Sequence, residues 1–316
     1  MTGRVLITGT SGFIGRHTIG PLLVRGYEVV PTTSGTPPGD DRAGVHWCRA
    51  DLLREADTER LIDEAQATHL LHLAWYYKPG TVYTSVENVR WVEATLRLLR
   101  QFVRSLDARR VVLAGTCAEY GASAEPANEL LTPVAPATMY GHAKHATAAL
   151  GRHVCESAGI SMANGRVFFV FGPGEHPDRL VSSVARALLA GVEAPCSHGT
   201  QVRDFQLSVE TAAALAALLD SEVQGPVNIG SGEQLSVREV VEYLGRLSGR
   251  SELLRLGAIP ARPHEQQLIV PDLQRLVNEV GFRPRTSVAE GLELTFRWWA
   301  KQANRPPQRP RASSAS

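Results

Sequence analysis

A doubly wound parallel α/β sheet, followed by a smaller C-terminal α+β unit, is the fold this sequence predicts. Three observations carry that prediction. A short apolar run, Arg4–Ile7, leads directly into the glycine-rich segment Thr8-Gly-Thr-Ser-Gly-Phe-Ile-Gly15. Short apolar runs then alternate with helical periods as far as residue 170, the pattern of a parallel sheet with helices on both faces. The chain has 316 residues, 43% hydrophobic and 21% charged, an ordinary globular balance at a length where one core divides into two. The expected division is a dinucleotide-binding domain over 1–170, to which a segment of about 205–230 returns. A substrate-binding domain follows over 171–204 and 231–303. Residues 304–316 are mostly Pro, Arg, Ser and Ala without apolar periodicity, so a disordered tail is expected.

Arg4–Ile7 has the unbroken apolarity of a strand buried on both faces. After it, Gly9 makes the tight turn, Gly12 lets a pyrophosphate approach the backbone, and Gly15 lets helix and strand pack closely. Ser11, Phe13 and Ile14 share this loop and are candidate dinucleotide contacts. A helical pattern runs on through Leu22 and Leu23. The next apolar run, Glu28–Pro31, is the second strand. A carboxylate at its end would bind the ribose hydroxyls of NAD, but the chain continues Thr32-Thr33-Ser34. Hydroxyls at Thr33 and its neighbours tolerate a 2′-phosphate, with Arg42 or Arg54 as charge partner, so the reading leans to NADP(H) over NAD(H). The alternative is that Asp40 or Asp41 swings back to the ribose.

Val45–Cys48 reads as the third strand, leading to Ala50-Asp51-Leu52. His69–Ala74 is the fourth, and Leu73 and Ala74 at its end should meet the cofactor, since ligands bind beyond the carboxyl ends of such strands. A helical period through Val92, Leu96, Leu99 and Val103 marks Glu87–Val103. Arg110–Gly115 is the fifth strand, ending at Thr116. A helix from Tyr140 to about Ser157 precedes a sixth strand, Ile160–Val170. Beyond it 172–178 is loop, Leu180–Leu189 helix and Gln201–Val209 mixed. Pro226–Ile229 is a strand, and Ser236–Leu247 a helix capped by Ser236 with Glu239 three residues on. Val288–Trp299 is the last helix.

A net charge of +1 gives no general attraction to nucleic acid or membranes. The four cysteines, Cys48, Cys117, Cys155 and Cys196, show no metal-like spacing and read as reduced thiols of a cytoplasmic protein with no metal site. No apolar run approaches the ~18 residues that span a bilayer. The chain enters a strand at once, leaving no room for a signal peptide.

The chemistry centres on Tyr140-Gly141-His142-Ala143-Lys144, read with Thr116. A tyrosine and a lysine four apart share one helix face. An ammonium beside the phenol is expected to lower its pKa from about 10, suiting it to exchange a proton with an alcohol oxygen. Lysine is scarce, occurring only as Lys78, Lys144 and Lys301, which sharpens the pair.

With Thr8–Gly15, Thr116 and Tyr140–Lys144 aligned, the chain resembles the extended short-chain dehydrogenase/reductase family, and within it the nucleotide-sugar epimerases, dehydratases and 4-ketoreductases. Further markers are Gly172-Pro173, Arg203-Asp204-Phe205, Asn228-Ile-Gly-Ser-Gly232, Arg262-Pro263 and Gly291-Leu292 with Trp298-Trp299. The resemblance implies a Rossmann-type sheet and a homodimer through the helices around Asn88–Arg104 and Tyr140–Ser157. It implies that Thr116 hydrogen-bonds the substrate's C4 oxygen while Tyr140 moves the proton and Lys144 holds the nicotinamide ribose. Asp51, with Leu52 beside it, would meet the adenine, unless Asp51 simply caps a helix. Asn88 would order the helix behind the site. Arg203 and Arg262 would bind the diphosphate of a nucleoside-diphosphate sugar, the other reading of Arg203 being a surface ion pair.

Departures from the family narrow the reaction. Its 4,6-dehydratases carry Asp-Glu directly after the threonine, where this chain has Cys117-Ala118. Cys117 is also one place out of register with the cysteine of 3,5-epimerising relatives, so its thiol reads as packed in the substrate site. Phe169 stands where the family has Asn, His176 falls in a loop facing the expected sugar site, and Trp75 lies in the variable segment between Leu73 and Ser85. Two activities fit Thr116, Tyr140 and Lys144. One is a 4-ketoreductase of a nucleoside-diphosphate 4-keto-6-deoxyhexose using NADPH; the other is a 4-epimerase holding NAD. A dinucleotide-sensing protein without activity is a third reading, which the intact triad opposes.

Overall fold

The computed structural model describes residues 3–260 and 265–304. The tail beyond residue 304 and Arg262 lie outside the described residues. Nine segments cover the first half: β1 (Arg4–Thr8), α1 (Ile19–Val24), β2 (Glu28–Thr33), β3 (Cys48–Arg49), α2 (Glu55–Ala65), β4 (His69–His72), α3 (Glu87–Phe102), β5 (Arg110–Thr116) and α4 (Met139–Ser157). Then come β6 (Ser161–Val167), β7 (Phe169–Phe171), α5 (Leu180–Ala190), β8 (Ala194–Cys196), β9 (Val202–Leu207), α6 (Ser208–Asp220) and β10 (Gly225–Ile229). The chain closes with β11 (Gln234–Ser236), α7 (Val237–Ser248), β12 (Leu254–Leu256), β13 (Leu268–Ile269) and α8 (Val288–Ala303).

Seven parallel strands form the main sheet in the order β10-β6-β5-β4-β1-β2-β3. The order reverses beside β1, so α1 and α3, which follow β1 and β4, pack on opposite faces of the sheet and leave a crevice beyond the carboxyl ends of those two strands. Two apolar layers cover the faces. One packs Leu22, Val29 and Leu71 against α6 through Leu215 and Leu218; the other packs Leu6, Leu70 and Val111 against Leu98, Leu99 and Phe102 of α3. A separate core joins Val181, Val184 and Leu188 of α5 with Val240, Val241 and Leu244 of α7 and Leu292 of α8. It rests on a second sheet in which β9 pairs with β7, β11 and β13. Capping boxes start two of these helices, Ser236 with Glu239 and Ser287 with Glu290, each satisfying backbone N–H groups the first turn leaves open.

Three segments that the sequence reading did place differ in the structure. The predicted sixth strand is two: β6 stops at Val167, the Phe168 N–H bonds to the Ile229 carbonyl, and β7 turns into the second sheet opposite Phe205–Leu207. The third strand is displaced: only Cys48–Arg49 pair with β2, and Val45 makes a lone bridge to Val29. After the glycine-rich loop the helical pattern is divided between a 3-10 turn at Gly15–His17 and the short α1.

Candidate active site

The glycine-rich loop sits at the carboxyl end of β1 against the residues that leave β4. Gly9 holds φ +74°, and a Cβ there would stand 2.6 Å from the Ala74 nitrogen. A Cβ on Gly15 would overlap the Gly9 carbonyl. Leu73 and Ala74 are fixed against this turn, their N–H groups bonding the Thr8 carbonyl (3.2 Å) and hydroxyl (3.3 Å). By contrast, the Cβ direction of Gly12 meets only the Gly9 carbonyl oxygen, at 3.0 Å, and Gly12 and Ser11 are exposed. A backbone left bare beside a strand-to-helix turn fits a dinucleotide pyrophosphate. Phe13 and Ile14 turn inward to pack on the first core layer.

Thr116 ends β5, and Tyr140 is the second residue of α4. Thr138 caps α4, its hydroxyl accepting the Gly141 N–H at 3.1 Å. Gly141 is required by crowding: a Cβ would overlap the Ala118 carbonyl and lie 2.9 Å from the Pro136 Cβ. This close approach brings the phenol of Tyr140 near enough to the Thr116 hydroxyl for that hydroxyl to pull its pKa down. The Tyr83 ring meets the Tyr140 ring edge-on at 5.8 Å, and the Tyr140 N–H donates to the Tyr83 carbonyl. Thr116 is itself held from below. Its backbone N–H donates to Glu119 Oε1 at 2.9 Å, and its hydroxyl accepts the Ala118 N–H at 3.2 Å.

Lys144 is buried, one helical turn beyond Tyr140. Its ammonium lies 4.2 Å from the centroid of the Trp75 ring, a cation–π arrangement. Trp75 is held in turn, its indole N–H donating to Asn88 Oδ1 at 2.8 Å. The Asn88 amide bonds the Val82 and Ser85 carbonyls at 2.7 and 2.9 Å, so Asn88 ties the 75–85 loop to the start of α3. Burial lowers the Lys144 pKa to about 8, against the pull of the Glu119 carboxylate.

The expectation that Lys144 acidifies Tyr140 is corrected by this geometry. Burial pushes the phenol well above its usual value, and the Thr116 hydroxyl draws it only partway back. Helical spacing places the two side chains on one face, but the lysine stem carries its charge on to the indole. His72 is structural: its ring nitrogens bond Thr8 Oγ1 at 2.7 Å and Thr95 Oγ1 at 3.0 Å, and burial with the nearby ammonium holds its pKa at about 3.

Glu119 was not singled out from the sequence. Fully buried, it accepts from Thr116, from the Asn164 amide (3.1 Å) and from Arg166 Nε (3.0 Å). The signal was present as Thr116-x-x-Glu119, the spacing of a capping box, which the structure forms.

The remaining predicted residues divide. Arg203 is buried, not a surface residue: it bonds the Val202 carbonyl at 2.8 Å and Glu265 Oε1 at 3.4 Å, and lies 5.5 Å from the Phe169 ring. Its charge lowers the pKa of the Cys117 thiol against the larger effect of burial. Phe169 stacks near Phe205 at 6.0 Å. Cys117 packs on the small cluster of Tyr120, Ala127 and Phe168, and burial pushes its thiol up to about 12. His176 is exposed, accepting the Asp178 N–H at 3.3 Å; Glu175 and Arg179 of the same loop are joined at 2.6 Å.

At the far end of the crevice Thr33 caps the Gly35 N–H at 3.2 Å. Asp51 uses its carboxylate on the Leu53 N–H at 3.1 Å, a bond within the turn rather than the helix cap expected as the alternative, since α2 starts at Glu55 with no side-chain cap, and it also lines a cleft at the end of β2. The Leu52 side chain belongs to the core. The predicted charge partner Arg42 is corrected: it closes on Asp40 at 2.8 and 2.6 Å. Among the described residues no cluster of metal-ligating side chains is present, and no helix is long and apolar enough to cross a membrane.

Comparison with known proteins agrees with this geometry. The model of the NAD dependent epimerase/dehydratase family matches residues 5–230. UDP-glucuronic acid decarboxylase 1 of Danio rerio is 26% identical over 313 residues, covering 95% of this chain and 73% of its own length. CDP-abequose synthase of Salmonella typhimurium is 24% identical over 298 residues, 92% of this chain and 96% of its own. The structure of a Thermus thermophilus UDP-glucose 4-epimerase in complex with NAD superposes with a TM-score of 0.83 at 28% identity, covering 94% of this chain and 98% of that one.

Proposed function

We propose, for a chain that belongs to the NAD dependent epimerase/dehydratase family, that it reduces the 4-keto group of a nucleoside-diphosphate 4-keto-6-deoxyhexose. The observation that carries this reading is the Thr116–Tyr140 pair with no acid or base after it. Ala118 has no ionisable group, and the Cys117 thiol is pushed up to about 12, so the proton transfers of a water-eliminating relative have no carrier here. A phenol held above its usual pKa stays protonated near neutrality, which suits it to give a proton rather than take one.

The cofactor-facing residues are Gly9 to Ile14, Leu73 and Ala74, with Lys144 at the nicotinamide ribose. A bound nicotinamide dinucleotide supplies the hydride. Thr116 orients the substrate's C4 oxygen, and Tyr140 donates its proton to that oxygen as charge develops on it. Lys144, charged at neutral pH, offers an attractive pairing to the negative charge left on the phenol. Arg203, on the Cys117 side of Thr116, faces the substrate diphosphate, a role in which guanidinium forks excel. NADP(H) is preferred to NAD(H), because no carboxylate ends β2 and Asp40 is already held by Arg42 and by Trp47 Nε1 at 3.3 Å.

The second reading, a 4-epimerase with firmly held NAD, is favoured by the likeness to an NAD-bound 4-epimerase. Stoichiometry separates the two. Reductase action consumes one NADPH per product, whereas turnover without net redox change, or NAD found by mass spectrometry in the purified protein, refutes it. Two copies are expected to pair through α3 and α4, where Val89 and Leu150 are exposed, in a cytoplasmic enzyme. Light scattering at the mass of one chain would exclude the pairing.

A further inference from the structure

A buried charge ordinarily finds an ion of opposite sign, and the Lys144 ammonium has a different partner. Among the described residues no carboxylate closes an ion pair with it. Glu119, whose charge favours the ammonium, spends Oε1 on the Thr116 N–H at 2.9 Å and Oε2 on Arg166 Nε at 3.0 Å. His72 of β4, neutral with a pKa of about 3, is bonded to Thr8 and Thr95. On α3, Glu87 and Arg90 pair with each other at 2.9 Å, Arg97 donates to the Leu52 carbonyl at 2.8 Å, and Glu93 and Arg100 are exposed. On α4 itself Tyr140 keeps its proton, His142 is exposed and His145 half-buried. What rests against the ammonium is the face of Trp75, its ring centroid 4.2 Å away.

Three elements fix that indole. Trp75 follows Leu73 and Ala74, whose N–H groups anchor the end of β4 to Thr8. Its ring N–H donates to Asn88 Oδ1 at 2.8 Å, and Asn88 is buried at the start of α3. Trp91, further along α3, stands 6.4 Å from it, centroid to centroid. With the polar edge of the ring used on Asn88, the face is left for Lys144. An aromatic face attracts the charge as a whole and claims no particular N–H. An ammonium resting there keeps its rotatable donors for other acceptors, whereas a carboxylate in the same place would draw those donors to itself.

The geometry points to Trp75 as a positioning residue, whose indole face holds the buried Lys144 ammonium in place with its donors free for the hydroxyls of a nicotinamide ribose. The inference rests on the reading of Lys144 given above and adds the side chain through which that lysine is held. Trp75 thus acts through Lys144 and needs no contact with the sugar.

The test reads the lysine directly. The chain has three lysines, Lys78, Lys144 and Lys301, so NMR of protein grown with lysine carrying 13C at Cε shows three side-chain signals. The Lys144 signal is the one missing from Lys144→Met, and its titration midpoint should fall at about 8. Trp75→Leu should lower that midpoint by about one pH unit, the size of a desolvated cation–π contact. Protein grown with 5-fluorotryptophan keeps the indole's shape and N–H but has a weaker negative face, so its midpoint should fall by a smaller step. That arm decides the matter should Trp75→Leu not fold. A Lys144 midpoint that stays or rises in the fluorinated protein overturns the assignment. Calorimetry at pH 9 with NADPH or NADH, whichever binds more tightly, should show about a tenfold loss in Trp75→Leu, because the charged lysine is that much rarer. Affinity for 5′-AMP, which has no nicotinamide ribose, should not change; an unaltered dinucleotide affinity, or an equal loss for both ligands, overturns the assignment as well. Neither arm needs turnover. These shifts in a protein that reduces no nucleotide sugar keep the role of Trp75 and remove the ketoreductase reading, and reduction with an unshifted midpoint does the reverse.

Discussion

Replacing Lys144 by methionine should make the folded protein more stable at neutral pH. The ammonium is buried, and its surroundings lower its pKa from 10.5 to about 8. At about 1.4 kcal/mol per pH unit, that fall corresponds to ~3 kcal/mol by which the fold disfavours the charge. The indole of Trp75 returns about 1 kcal/mol through the cation–π contact. Methionine has a similar length and no charge, so Lys144→Met should gain ~2 kcal/mol at pH 7, about 4 °C in melting temperature at this chain length. The gain should depend on pH in a definite sense. Below about pH 8 both folded and unfolded wild type hold the proton, and the penalty is complete. Between about 8 and 10.5 the unfolded chain binds more protons than the folded one, so wild-type stability climbs with pH and the variant's advantage fades. Urea denaturation of both proteins at pH 7 and pH 10 measures the difference directly, and turnover should be lost throughout. A variant less stable than wild type at pH 7, or an advantage that does not shrink by pH 10, would refute the reasoning.

Three other substitutions probe the site. Tyr140→Phe should lower turnover by about 10²–10⁴ while cofactor affinity stays within about twofold; activity within a few-fold of wild type contradicts the proton-donor role. Gly141→Ala forces a Cβ into the Ala118 carbonyl, displacing the start of α4, and should reduce kcat about 10²-fold; an unchanged kcat shows that the crowding there does not position Tyr140. Glu119→Ala strands the buried Arg166 guanidinium and the Thr116 N–H, for an expected loss of about 3–5 kcal/mol in chemical denaturation. Glu119→Gln, whose single amide oxygen can still accept from Thr116 and Asn164 while its NH2 cannot accept from Arg166, should cost less, and equal losses for the two variants would show that the hydrogen bonds to Thr116 and Asn164 contribute nothing separable.

Much of the fold was legible because it is written in local periods. The apolar run at β1, the glycine spacing after it, the helical rhythm of α3 and the Ser236–Glu239 box each report on neighbours within a few turns. The helix α6 was not recognised, since it is buried on nearly every side and so lacks the one-sided apolar period that marks a surface helix. The break between β6 and β7 was equally silent. Both halves are apolar, and only the partners they find, β10 for one and β9 for the other, separate them.

The chain's own pattern determined the sheet, the dinucleotide loop and the placing of Tyr140 and Lys144 one turn apart on a shared helix face. The third dimension decided what those side chains do. It is the Thr116 hydroxyl, not the Lys144 ammonium, that draws down the pKa of the buried phenol, and Arg203 meets Glu265 from 62 positions along the chain. At the end of β2, Asp40 takes Arg42 and leaves Arg49 and Arg54 facing the cleft. The physical reason is one of range. Backbone periodicity is set by the nearest few residues, whereas ionisation and ion pairing depend on burial and on charges delivered by distant segments once the chain has closed on itself.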